Sequence, residues 1–403
     1  MERSEQIRLL KELMGHLDAD TNVDAGGIRR NPTSAYTCRD RARQEWETFF
    51  RRYPQLLGLS GDLPGPGTFL TSTDFGAPIL AVRDAEGEFR AFLNVCRHRG
   101  AIVESEPRGR KSKFACPFHA WTYSNRGELL AIPKPDHFGF IDKSCHGLTA
   151  LPAVERYGFL WVHPDPKGQI DVGALLGGLA PEFESWDFGR MAFVGTDTYD
   201  MRLNWKLAMD TFGETYHFKV LHRNTLAANF HGNVQAYDVF GRNHRMILCL
   251  KEIDKLREQP ESTWHITSGG FPVYYLFPNV QLNVGANAII LVRAYPDPEN
   301  PGRSISQVSF YARPAILEDD PEGVAMRLRF FGEVVRDEDY AVAETCQRGA
   351  EAGLQETVVF GRNEPALHHY HNTYRADASS WLERIPVIRQ FRRRVLGRPY
   401  RAR

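Results

Sequence analysis

Four side chains in the first third of the chain have the types and spacing of soft metal ligands. Asn94-Val95-Cys96-Arg97-His98-Arg99-Gly100 sets a thiol and an imidazole two residues apart, and Cys116-Pro117-Phe118-His119 sets a second such pair three apart. Seventeen residues separate His98 from Cys116. A zinc finger groups its cysteines on one arm and its histidines on the other. Here each arm carries one of each, which suits a [2Fe–2S] cluster with two thiolates on one iron and two imidazoles on the other. Cys96 and Cys116 would supply the thiolates, His98 and His119 the imidazoles. Exchanging two anionic ligands for neutral ones raises the reduction potential, so such a cluster accepts electrons readily. Arg97 and Arg99 would favour its reduced, more negative state. Pro117 and Gly100 suit loops of fixed shape.

A second constellation lies in NWKLAMDTFGETYHFKVLH, residues 204–222, which offers Asp210, Glu214, His217 and His222. Histidines five apart lie about 140° round an ideal helix. They can meet at one metal only where the helix ends or is irregular. Two histidines and one carboxylate form the facial triad of non-haem Fe(II) oxygenases. The acid is sought in FFGEVVRDEDYAVAETC, within a helical stretch expected over 322–349. Its apolar stripe reads Phe331, Val334, Val335, Val342 and Cys346; Glu338 and Asp339 fall within it, Asp337 and Glu344 outside. An acid on a buried face is unusual unless something binds it. Spacing narrows the choice to Glu338 or Asp339 and leaves both open.

The segments CRHRG, CPFHAWTY, NWK, ETYHFKVLH and EDYAVAETCQRG occur in this order over about residues 45–372. Together they resemble the catalytic α subunit of the Rieske non-haem iron oxygenases, the aromatic ring-hydroxylating family. The resemblance implies a β-rich Rieske domain followed by a catalytic domain with a curved antiparallel sheet flanked by helices. It implies His217, His222 and Asp339 as ligands of a mononuclear Fe(II), Asp339 standing eight residues before Gln347 of the Gln-Arg-Gly segment. Asp210 is expected near that iron. Glu214 takes the place of an acid that bridges the first iron histidine to a cluster histidine, here His119, of the neighbouring subunit. Most members have Asp there. Some members acting on quaternary ammonium compounds also have Glu, which hints at that substrate class.

The implied activity is that of the oxygenase component of a multicomponent system. Electrons from NAD(P)H would arrive through a separate flavin/iron–sulfur reductase, with or without a ferredoxin, and O₂ would be used to dioxygenate, monooxygenate or demethylate a small organic substrate. An aromatic substrate is expected first, with quaternary-ammonium N-demethylation as the alternative. The implied assembly is a head-to-tail homotrimer. A rival from another class is a Rieske electron carrier without the second metal, against which the second constellation argues. Phe271, Tyr274, Tyr275 and Phe277 are weighed as a cation-binding cage and read in preference as strand core.

These ligands need a framework, and the chain reads as α+β. Residues 1–44 are expected to form an N-terminal helical segment packing on the catalytic domain, with Ile7, Leu9, Leu10, Leu13, Met14 and Leu17 on one face. Residues 45–165 read as the β-rich cluster domain, in which PILAVRD and FRAFLNV form two strands about a tight turn. Residues 166–403 read as the catalytic domain: a Gly- and Pro-rich connection over 166–190, strands over 238–312, then the long helix, with helices on one face of the sheet. Apolar residues at 42% and charged residues at 25% are ordinary for a soluble globular protein. A formal net charge of +0 gives no global field towards nucleic acid or acidic membrane. With no bilayer-spanning apolar run and no secretory block at the start, the cytoplasm is expected. Six cysteines in that setting argue against a disulfide framework. The eight arginines from Arg384 onward read as a solvated tail, with a docking patch for an acidic redox partner as the sharper alternative.

Overall fold

The computed structural model describes residues 1–382, so the arginine-rich tail lies outside the described residues. The cysteine–histidine arms sit in an antiparallel β unit. Strands Ile79–Arg83 and Phe89–Leu93 pair about the Ala85–Gly87 turn and form the centre of a five-stranded sheet. The second arm belongs to a three-stranded sheet of Lys113–Ala115, Thr122–Ser124 and Leu129–Ala131. Between them lies a core that includes Phe69, Leu80, Phe92, Phe114, Trp121 and Tyr123, and both Cys96 and Cys116 are buried in it.

Helix α1 (Arg3–Ala19) precedes this unit and buries Leu9, Leu10, Leu13 and Met14. The larger sheet has seven antiparallel strands: β1 (Ala192–Met201), β2 (Phe230–Phe240), β3 (Asn243–Leu250), β4 (Gly270–Leu276), β5 (Val280–Val284), β6 (Ala288–Pro296) and β7 (Ser304–Ala312). Their order is β1-β7-β6-β5-β4-β3-β2. This order positions the site. The chain leaves β1 at one edge and re-enters as β2 at the other, so the intervening segment must cross the whole sheet, about 29 Å at the usual strand spacing. That crossing contains helix α2 (Trp205–Asp210), Glu214, His217 and His222. The chain then meanders back to β7, beside β1, and starts a second excursion: α3 (Pro321–Glu333), a π-helical stretch Val334–Tyr340, and α4 (Ala341–Glu351).

Strand alternation decides which face each excursion covers. Val273, Tyr275, Val292, Ala294, Val308 and Phe310 pack with Trp205, Met209, Phe218, Val335 and Tyr340, so both excursions lie on one face. Glu344 and Gln347 of α4 accept hydrogen bonds from the backbone N–H groups of Arg202 and Asn204, at 2.8 and 3.1 Å, which pins the two together. Tyr274, Leu276, Leu282 and Leu291 point the other way, onto Leu176, Phe183 and Phe188. Helices therefore cover both faces of the sheet, not one. The Gly- and Pro-rich connection is itself helical over Val172–Leu176 and Ala180–Trp186, its apolar residues buried there. Helix α1 packs on that reverse face at Ala236, Ile247 and Cys249, and strand Arg29–Pro32 pairs with Thr357–Phe360. Helix α5 (Pro365–Leu382) ends the described chain. Among the described residues no helix is long and apolar enough to cross a membrane.

Candidate metal centres

The two cysteine–histidine arms fold into matching turns. In the first, the Cys96 N–H donates to Ala101 O at 2.8 Å and the Gly100 N–H to Cys96 O at 2.9 Å. In the second, the Cys116 N–H donates to Trp121 O and the Ala120 N–H to Cys116 O, both at 2.8 Å. Gly100 and Ala120 occupy the same corner, each with positive φ, 78° and 56°. The turns bring the imidazoles of His98 and His119 to 4.7 Å between ring centroids. The Tyr123 hydroxyl lies 3.3 Å from Cys96 Sγ and accepts from the Arg97 N–H at 3.0 Å. His98 Nδ1 is buried with no partner among the described residues, and burial beside the Cys96 thiol pushes the Cys116 thiol up. A buried lone pair and two buried thiols facing each other are what a bound metal group satisfies, so the donor set fits a [2Fe–2S] cluster with Cys₂ and His₂ ligands. His119 is exposed, stacked on a half-exposed Phe118 with centroids 3.8 Å apart.

On the catalytic sheet the helical reading of 204–222 breaks where it had to. Helix α2 ends at Asp210, a single 3₁₀ turn covers Tyr216–Lys219, and His222 follows in irregular chain. This bend lets two histidines five residues apart face one point. His217 Nε2 and His222 Nε2 are 3.1 Å apart, and each is 3.3 Å from Asp339 Oδ1. A metal about 2.1 Å from each donor places donors at right angles about 3 Å apart. The triangle therefore matches three mutually adjacent positions on one metal, with the opposite side open.

The outer nitrogens are also held. Glu214 accepts from His217 Nδ1 and from the backbone N–H groups of Tyr216 and His217. Glu338 accepts from His222 Nδ1 at 2.6 Å and from the Thr225 hydroxyl at 2.9 Å. With a metal bound, each imidazole would keep its proton on Nδ1 and turn its Nε2 lone pair to the shared point. Burial alone would lower the His217 pKa, but Asp339 and Glu214 outweigh it and raise it to about 10. Three carboxylates and two imidazoles so arranged attract a cation.

The π-helical stretch explains why Glu338 and Asp339, adjacent in sequence, grip the two nitrogens of one histidine. Bonding i→i+5 inserts one residue and shifts the buried face on by one. The buried positions run Val334, Val335, Asp339, Tyr340, Ala343 and Gln347. The straight stripe expected from the sequence fails beyond this point: Val342 and Cys346 are exposed. Asp210 does not join the triangle. It is buried on the far side of α2, accepting from Tyr36 Oη at 2.8 Å and lying 3.0 Å from His371 Nε2.

Beside the triangle a cavity of about 380 Å³ is lined largely by Phe212, Phe218, Phe230, Phe271, Phe330 and Phe331, with Thr211, Asn229, Gln281, Asn283 and the cationic Arg327 as polar points. Of the four aromatic residues weighed as a cage, Phe271 alone lines it; Tyr274, Tyr275 and Phe277 belong to the core. Thr225 and most of the cavity phenylalanines were not singled out in the sequence. Phe331 was, on the stripe that leads to Asp339.

Residues 54–152 match the family model of the Rieske [2Fe-2S] domain, and residues 188–379 that of the ring hydroxylating α subunit catalytic domain. The chain is a Rieske non-haem iron oxygenase catalytic α subunit. It is an O₂-using oxidoreductase with a [2Fe–2S] domain and a mononuclear iron domain, and its family works as an oxygenase component that oligomerises. Choline monooxygenase from Spinacia oleracea is 25% identical over 87% of this oxygenase and 79% of its own length. The carnitine monooxygenase oxygenase subunit of Escherichia coli K12 is 23% identical over 85% and 91%. The same fold is seen in a quaternary ammonium Rieske monooxygenase whose structure addresses carnitine oxidation and inter-subunit electron transfer: TM-score 0.74, 22% identity, 87% and 95% coverage.

Proposed function

We propose that this oxygenase acts on a methylated quaternary ammonium compound at the triangle of His217, His222 and Asp339. The observation that carries the metal assignment is the set of three donor atoms 3.1–3.3 Å apart, each imidazole backed by a carboxylate on its other nitrogen. Cys96, His98, Cys116 and His119 hold the [2Fe–2S] cluster. When bound, the cluster supplies electrons singly and the iron provides the open positions at which O₂ is activated.

The protein residues do the rest. Glu214 and Glu338 fix the orientation and tautomer of the two iron histidines. Glu214 also faces outward, its side chain 13% exposed, and is the bridge to His119 of a neighbouring copy. Exposed Tyr216 and Val220 lie beside it, as exposed Phe118 and Phe140 lie in the domain that bears His119. These apolar surfaces suit one another, which supports a head-to-tail homotrimer served by a separate flavin/iron–sulfur reductase. The phenylalanines give the cavity an apolar, aromatic lining suited to a methylated cation. The names of the relatives and the Glu at position 214 favour that substrate over an aromatic one.

We divide the chain at 45–165 for the cluster domain and 166–403 for the catalytic domain, with 1–44 packed on the latter. The test is a metal and sulfide count on anaerobically purified protein, then O₂ uptake with choline, carnitine and glycine betaine against aromatic acids. About three irons to two sulfides is expected. Uptake with aromatic acids alone would overturn the substrate, and two irons to two sulfides after Fe(II) is added back would overturn the triangle.

A further inference from the structure

Away from both ligand sets, a second cavity of about 160 Å³ opens where four distant stretches meet. It is lined by Arg29 of the N-terminal strand, Arg41 and Glu45 of the helix Arg39–Glu45, Lys206 of α2, and His371 and Arg375 of α5. Four cationic side chains thus line it beside one carboxylate, and the nearby carboxylate of Asp210 acts favourably on Arg29 and Lys206. The lining carboxylate is already engaged: Glu45, buried, lies 2.5 Å from Lys206 Nζ, also buried, and accepts from Trp205 Nε1 at 3.2 Å. Among the described residues neither Arg29 nor Arg41 has an acidic partner. Arg29 donates to neutral groups, the His368 carbonyl at 3.1 Å, Asn31 Oδ1 at 3.4 Å and the side chain of Asn372, and its Nε is buried without a partner among the described residues. His371 cannot supply an anion, since its nitrogens face Asn31 and Asp210.

Such a gathering of like charge is unfavourable by itself. Burial disfavours the charged form of Arg29, and the nearby Arg375 adds to this. Burial does the same to Lys206; Glu45 offsets it and Arg41 works against it. Guanidinium groups with unused N–H donors, an ammonium with donors to spare, and a small polar cavity are the elements of an oxyanion site.

We propose that this cavity binds a small oxyanion, a phosphate or a short carboxylate, held by Arg29, Arg41 and Lys206. The bound anion cross-links the N-terminal strand and helix to α2 and α5. It acts on the catalytic domain from outside the substrate cavity, because α2 runs directly into the segment that carries Glu214 and His217, and His371 of α5 holds Asp210 at its end.

The test is a melting-temperature series on the full-length holoenzyme in a buffer free of oxyanions, with sodium phosphate, sodium acetate or sodium chloride added at constant ionic strength. Phosphate, acetate or both should give a saturable rise of about 3 °C or more that chloride does not. Which of the two acts tells a tetrahedral from a planar ligand. Arg41→Gln is the decisive variant, because Arg41 makes no hydrogen bond or ion pair within the described residues. It should lose the saturable rise while melting close to the wild type in oxyanion-free buffer, where the repulsion it relieves at Lys206 is offset by the attraction it gives up to Glu45 four residues on. A rise that is equal for all three salts, or one that Arg41→Gln retains, overturns the proposal.

Discussion

In the β domain the four soft ligands come from two turns with the same main-chain hydrogen bonds, each five residues long and each carrying its own cysteine and histidine. On the catalytic sheet the three nitrogen and oxygen donors come from two excursions, and Asp339 enters only after six further strands have been laid down. The first set is shaped by local backbone, which holds its geometry wherever the two turns are brought together. The second exists only once the sheet is complete, because β1 must pair with β7 before the excursions from those strands can cross on one face. A site of the first kind tolerates change in the rest of the protein. A site of the second kind inherits every shift of the helices that cross there.

The strongest test of this contrast removes one ligand from each set. Asp339→Ala should keep the sulfide content and visible spectrum of the cluster while iron falls from about three to about two per chain. Substrate-dependent O₂ uptake should vanish. Cys96→Ser should lose the cluster and lower the melting temperature of its domain, since Cys96 is buried in that core, while Fe(II) titration still fills the triangle. Loss of sulfide in Asp339→Ala would show that the two sites are not independent.

A smaller effect probes the shell around the triangle. Glu338→Gln keeps the shape but weakens the acceptor on His222 Nδ1, so Fe(II) or Co(II) affinity of the apo-protein should fall about 10–100-fold. Asp337→Asn is the control, because Asp337 is exposed and paired with Arg336 at 2.6 Å. Equal losses in both variants would reduce Glu338 to a member of a general acidic surface.

The same contrast decides what could be read from the sequence. The cluster arms were legible because their chemistry lies in spacing: C-x-H and C-x-x-H name the ligands without any knowledge of the fold. The strands around them and the apolar face of α1 were legible from periodicity. At the triangle the residue types were visible but their roles were not. Period alone left Glu338 and Asp339 open, and the structure gives both a task at His222, one on each nitrogen. The inserted π-helical residue that makes this possible has no compositional signature, and it carried the expected stripe onto exposed Val342 and Cys346. The 166–190 connection was misread because its glycines and prolines mark the boundaries of short helices rather than their absence. Asp210, close to the iron residues in sequence, turns its side chain to Tyr36 and His371 and is not one of the triangle's three donors.

The mildest prediction compares the two cluster turns with each other. Their corner residues share the left-handed conformation, yet one is Gly100 and the other Ala120. A Cβ costs about 1–2 kcal/mol there, and replacing glycine recovers about 0.4–1 kcal/mol by restricting the unfolded chain. A Cβ at Gly100 would meet nothing closer than Val95 Cγ1 at 4.0 Å, so backbone conformation alone sets the cost. Gly100→Ala should therefore destabilise the domain, and Ala120→Gly stabilise it, each by about 0.5–1 kcal/mol. Chemical denaturation followed by the cluster absorbance measures both. Equal and opposite changes would establish the turns as interchangeable backbone units. A loss of several kcal/mol in Gly100→Ala would mean that this corner is held by the cluster or its docking partner, not by its own conformation.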